Sequence, residues 1–154
     1  MPFRFRLKSL LRHREYKLEE ARTAFASAES FRLEIQRQIG ELRETIRVKS
    51  EAFECEQETG MDISRYLNFV NYLSEMEREV HLMKKELEKA LDESELRRRE
   101  MIQWNKSVEL LEGIEARDRG NYNYQAARDT QKKLDEAAVF KDYRDRVHAG
   151  RRDE

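Results

Sequence analysis

The chain has 154 residues, 41% charged and 38% hydrophobic, with five glycines and a single proline, Pro2. Such a charged sequence, so poor in breakers, excludes a wide globular core and favours long helices that bury one narrow stripe. Net charge is −1, which gives the whole chain no general affinity for nucleic acid, and the lone Cys55 excludes a disulfide framework and fits a reducing compartment.

Charge is segregated. Residues 1–14 carry Arg4, Arg6, Lys8, Arg12 and Arg14 and no acid. Residues 51–62 carry Glu51, Glu54, Glu56, Glu58 and Asp62 and no base. A basic amphipathic start is also the pattern of an organelle presequence. Here the apolar stripe continues in phase into the next fifty or so residues, as structure does, so the segment is read as part of the fold.

The first predicted helix spans about residues 3–56. Steps of four and three from Leu7 meet Leu11, Leu18, Ala21, Phe25, Ala28, Ile35, Ile39, Leu42, Ile46 and Phe53, interrupted by Arg14, Arg32 and Lys49. That repeat, about 3.5 residues, is the left-handed coiled-coil period. A turn follows at about 57–64: Gly60 suits a left-handed residue, and Asp62 or Ser64 suits a cap. The second predicted helix spans about 65–147. Its seam runs through Tyr66, Phe69, Leu73, Met76, Val80, Met83, Leu87, Ala90, Met101, Trp104, Val108 and Leu111, broken at Ser94 and Arg97.

A short connection makes the two helices antiparallel neighbours. The fold class is therefore all-α: a long two-helix antiparallel coiled coil, an α-hairpin whose second helix is the longer. Setting Phe53 level with Phe69 fixes the register. The same layering pairs Ile46 with Met76, Leu42 with Val80, Ile35 with Leu87 and Leu18 with Trp104. It also predicts a narrow, partly hydrated waist, where Arg32 faces Ala90, Ala28 faces Ser94, and Arg97 lies over the ring of Phe25. Residues 120–147 have no partner strand. They keep a stripe of Leu134, Ala137, Ala138, Phe140, Tyr143 and Val147, about 40 Å long if fully helical. Gly120, Asn121 and Asn123 loosen its start, and residues 148–154 read as a disordered tail.

Nothing in this pattern carries catalysis. His13, His81 and His148 lie far apart on the proposed hairpin. Cys55 lies among acids, which disfavour a thiolate nucleophile. The glycines are scattered singly, so no phosphate loop forms, and no Cys/His spacing suggests zinc. No catalytic, cofactor-binding or metal-binding residues are therefore expected. Arg97, Arg98 and Arg99 read first as a solvated face and second as an acidic docking site. No apolar run approaches the length of a membrane span.

Surface remains as the functional feature. Phe3, Phe5, Tyr122, Tyr124, Phe140 and Tyr143 gather with the basic N-terminus at the open end of the predicted hairpin, a composition typical of interface anchors. Tyr72 lies off the seam near Met76 and Leu42, either as a second contact patch or packed on the flank.

Three stretches together resemble the FliJ family of flagellar export proteins over nearly the full length. They are Phe3-Arg4-Phe5-Arg6-Leu7-Lys8-Ser9-Leu10-Leu11-Arg12, Ser64-Arg65-Tyr66-Leu67-Asn68-Phe69-Val70-Asn71-Tyr72-Leu73, and Lys132-Lys133-Leu134-Asp135-Glu136-Ala137. The resemblance implies a non-enzymatic antiparallel coiled coil similar to the central stalk of rotary ATP synthases. It implies a cytoplasmic place at the flagellar base, peripheral to the inner membrane. It further implies insertion into the hexameric ring of the flagellar export ATPase and contact with the cytoplasmic domain of the membrane-embedded export gate. A role in recycling export chaperones, and so in coupling the ATPase to proton-driven export, follows from the same resemblance.

On that basis Phe3, Phe5, Arg6, Leu134, Phe140 and Tyr143 are assigned to the ATPase ring. Gln38, Leu42, Tyr72, Met76 and Met83 are assigned to the export gate. Thr45 and Lys49 on the same stretch are polar, where the family surface is more aromatic or apolar. Two other classes stay open: a virulence-type secretion stalk or generic antiparallel coiled-coil adaptor, and a membrane-surface binder using the basic N-terminus.

Overall fold

Two helices account for almost all of the described chain: α1, Lys8–Thr59, and α2, Ile63–Gly150. They come from a computed structural model that describes the backbone of residues 2–150 and the side chains of residues 2–148. No strand occurs among the described residues.

The helix ends follow from local chemistry. Helix α1 runs to Thr59, past the predicted residue 56, because nothing before Gly60 stops it. Gly60 takes φ +99°, a conformation that L side chains resist. Its N–H donates to the Gln57 carbonyl at 3.2 Å, and the Thr59 hydroxyl donates to the Glu56 carbonyl at 3.0 Å, so late carbonyls of α1 are satisfied. Asp62 stands at the cap of α2, its carbonyl accepting the Tyr66 N–H at 3.1 Å.

Two terminal expectations are corrected. Helix α1 starts at Lys8, not near Phe3, because residues 2–5 leave the helical path so that their rings turn inward. The Lys8 N–H closes the resulting turn on the Phe5 carbonyl at 3.3 Å. At the other end, His148–Gly150 continue α2 where disorder was expected, since no breaker precedes Gly150. Residues 151–154 of the expected tail lie outside the described residues.

Packing divides the chain into two units: Arg14–Lys106, and Met1–His13 with Ser107–Glu154. In the first, α1 and α2 run antiparallel across the turn at 60–62. Leu18, Ala21, Ile35, Ile39, Val80 and Ala90 are buried, and Met83 and Leu87 pack against the cluster of Ile35, Ile39 and Ala90. Phe53 stacks on Phe69 with centroids 3.8 Å apart and planes 12° apart. This is the register set by the seam.

The waist of this unit differs from expectation. Ala90 and Ser94 are about as buried as the core, at 5% and 6% exposure, so small side chains close it. The Ser94 hydroxyl donates to Glu29 Oε2 at 2.6 Å across the helix pair, and Arg32 grips the same carboxylate from its own helix. Arg97 does not cover Phe25. Glu93 and Glu100, one turn away on either side, accept from its guanidinium at 2.8 and 3.2 Å. Charge-assisted hydrogen bonds at that spacing outcompete a ring face.

In the second unit, Phe5, Leu11, Val108 and Leu111 are buried. Phe3 reaches Tyr122 at 5.7 Å between centroids, and the Arg119 guanidinium lies 5.5 Å from the Phe3 ring. From Arg119 to His148 every side chain of α2 is exposed.

Candidate docking surfaces

The exposed stretch of α2 carries large apolar groups that a helix in water does not hide. Leu134, Val139, Phe140 and Tyr143 are 60%, 69%, 73% and 69% exposed. Helical spacing brings Phe140, Tyr143 and Val147 to one side, since residues three and four apart are surface neighbours. An apolar stripe of this kind, set among charges, is the mark of a surface that meets another molecule. Leu134, Val139, Phe140 and Tyr143 therefore all stand exposed on this stretch.

The lead contributes differently. Arg6 is exposed, Phe3 is half-buried, and Phe5 is buried, so Phe5 is a core ring of its unit and not a free contact. The reason is the non-helical path of residues 2–5, which turns the ring inward. Arg4, Arg6, Lys8 and Arg12 are exposed and form no ion pair with any described residue. Elsewhere the arginines are mostly engaged: Arg47 with Glu44 and Glu51 at 2.6 Å, Arg22 with Glu19 at 2.6 Å, Arg37 with Glu34 at 2.6 Å and with Glu41.

The basic run Arg97–Arg98–Arg99 belongs to this engaged class. Arg98 and Arg99 both donate to Glu95, at 2.9 and 3.1 Å, and hold its carboxyl down at about 2. Arg37, with Gln38, holds Glu34 down at about 2 in the same way. These pairs are solvated and individually weak.

A second surface adjoins the turn at 60–62. Lys49, Ala52, Phe53, Glu56, Phe69 and Tyr72 line a shallow groove of about 370 Å³. Tyr66 tilts against Phe53 at 5.8 Å, and Tyr72 against Phe69 at 6.3 Å. The Lys49 ammonium lies 4.7 Å from the Tyr72 ring centroid. Tyr72 thus joins Phe69 and Lys49. Of the other residues assigned with it, Leu42 and Met76 are half-buried seam residues. Gln38 is exposed and donates to Glu34 at 2.9 Å, and Met83 packs on the core cluster. The sequence pattern missed Phe53 and Lys49 as groove members because one is a seam residue and the other a polar break in the seam. Only the fold shows that both line one groove with Tyr72.

Among the described residues no group of three or more His, Cys, Asp and Glu is placed to hold a metal ion, and no helix is long and apolar enough to cross a membrane. Cys55 is exposed.

Compared with known proteins, residues 3–146 match the family model described as flagellar FliJ protein. No curated protein and no solved structure matches the chain.

Proposed function

The chain belongs to the flagellar FliJ family, a non-enzymatic component of the flagellar protein export apparatus, and from that membership we propose that it acts as the stalk of the export ATPase. In this reading the exposed stretch of α2 enters the hexameric ring. Leu134, Phe140 and Tyr143 are its apolar contacts, and Arg6, with Phe3 and Phe5, belongs to the base of this stretch, where Phe3 meets Arg119 and Tyr122. One observation carries the reading: a continuous helix bears a bare aromatic stripe with no packing partner in the described chain. Any nucleotide chemistry belongs to the ring, and the chain supplies contacts.

The groove of Phe53, Phe69, Tyr72 and Lys49 supports a second contact, with the cytoplasmic domain of the export gate. Tyr72 is its centre, and Gln38, Leu42, Met76 and Met83, farther from the turn along the two helices, complete the proposed contact. Lys49 supplies a cation over an aromatic ring, a polar alternative to the apolar surface usual in the family. Recycling of export chaperones, and a position peripheral to the inner membrane at the flagellar base, complete the proposed role.

The test is binding to the purified export ATPase hexamer. Phe140→Ala with Tyr143→Ala should leave helix content intact and weaken binding about 100-fold, as loss of two aromatic anchors does. Binding that survives the double substitution removes the arm from the interface. Recovery of a virulence-type ATPase in place of the flagellar one, in a pull-down, would favour the alternative stalk.

A further inference from the structure

The lead at residues 2–7 lies outside α1, yet it is not free. Phe5 is buried, and the Lys8 N–H ties the Phe5 carbonyl into a turn. Phe3 then meets two residues of α2: Tyr122, 5.7 Å between centroids, and Arg119, whose guanidinium is 5.5 Å from the ring. Those two residues bracket Gly120 and Asn121, and Asn123 follows.

Glycine and asparagine are poor helix formers. Three of them within four positions make a segment that, left alone, frays or bends. No close approach calls for the glycine: a Cβ at Gly120 meets nothing within 4 Å. The side chains from Arg119 to His148 are all exposed, so the segment gains little from core packing. Helix α2 nevertheless continues through it.

We infer that the lead is a clamp: Phe3, anchored by buried Phe5, holds α2 helical across Gly120–Asn123 and so sets the direction of the aromatic arm that follows. Phe3 and Phe5 are then positioning residues that act on a partner through the arm. That last step rests on the proposed docking role, whereas the clamp itself does not.

The experiment is amide hydrogen exchange on the full chain. Phe3→Ala should speed exchange at residues 119–125 about tenfold and leave the unit Arg14–Lys106 unchanged. Adding Gly120→Ala should restore protection, because alanine supplies helix propensity without replacing the ring. Phe3→Trp should keep protection throughout. Unchanged exchange in Phe3→Ala overturns the clamp, and so does failure of Gly120→Ala to restore protection. The same variants are then bound to the export ATPase hexamer. Weaker binding by Phe3→Ala, recovered with Gly120→Ala, supports both the clamp and the docking arm. Faster exchange with unaltered binding leaves the clamp standing and removes its part in docking.

Discussion

Ser94 shows how one small polar residue fixes a seam. It is buried at 6% exposure, and its hydroxyl has a partner across the helix pair in Glu29. Removing that hydroxyl should cost about 1 kcal/mol, so Ser94→Ala should lower the midpoint of chemical denaturation by that equivalent. The Glu29 carboxyl is held down at about 2, first by Arg32 and then by Ser94. A carboxyl lowered in the folded state stabilises above its unfolded pKa, and the benefit fades as pH falls toward the folded value. Thermal midpoints should therefore be steady above about pH 4.5 and decline from there toward about pH 2. In Ser94→Ala that decline should be shallower, because one of the two causes of the shift is gone. An identical acid profile in both proteins would remove Ser94 from the account.

At the scale of elements, the turn between α1 and α2 depends on one backbone conformation. Gly60 at φ +99° ends α1 where no L side chain rests easily. Space is not the issue, since a Cβ there meets nothing within 4 Å. Gly60→Ala should cost about 1–2 kcal/mol in equilibrium unfolding, all of it backbone strain. Gly113→Ala lies inside α2 in equally open space and should stabilise by about 1 kcal/mol. The opposite signs of the two alanine substitutions are the check, because a shared sign would mean that conformation does not decide the matter. The turn was legible in the sequence from Gly60 and Asp62. The start of α1 was not: the repeat extends back to Leu7, and periodicity alone does not reveal that Phe3 leaves the helix to meet Arg119 and Tyr122 while Phe5 is buried.

At the scale of the whole molecule, the antiparallel arrangement is the feature most open to direct test. In a Cys55→Ser background, cysteines at Ile46 and Met76 should crosslink within one chain, because they share the layering of the Phe53–Phe69 stack. Crosslinks only between chains, seen on denaturing gels after dilution, would mean a parallel or exchanged pairing. The charge asymmetry is also a property of the whole chain. A net charge of −1 conceals a lead whose Arg4, Arg6, Lys8 and Arg12 are unpaired with described residues, while most other arginines have carboxylate partners along the helices.

The sequence by itself determined the two helices, the antiparallel register and the bare arm. These follow from a repeat of about 3.5 residues, a single breaker and an unequal length of seam, all local or one-dimensional properties. Tertiary structure alone decided which aromatic rings are exposed and which are core. Phe5 and Phe140 look alike along the chain; one is buried and the other is 73% exposed. Burial depends on what lies opposite in space, and the same is true of Lys49 over Tyr72 and of Ser94 on Glu29.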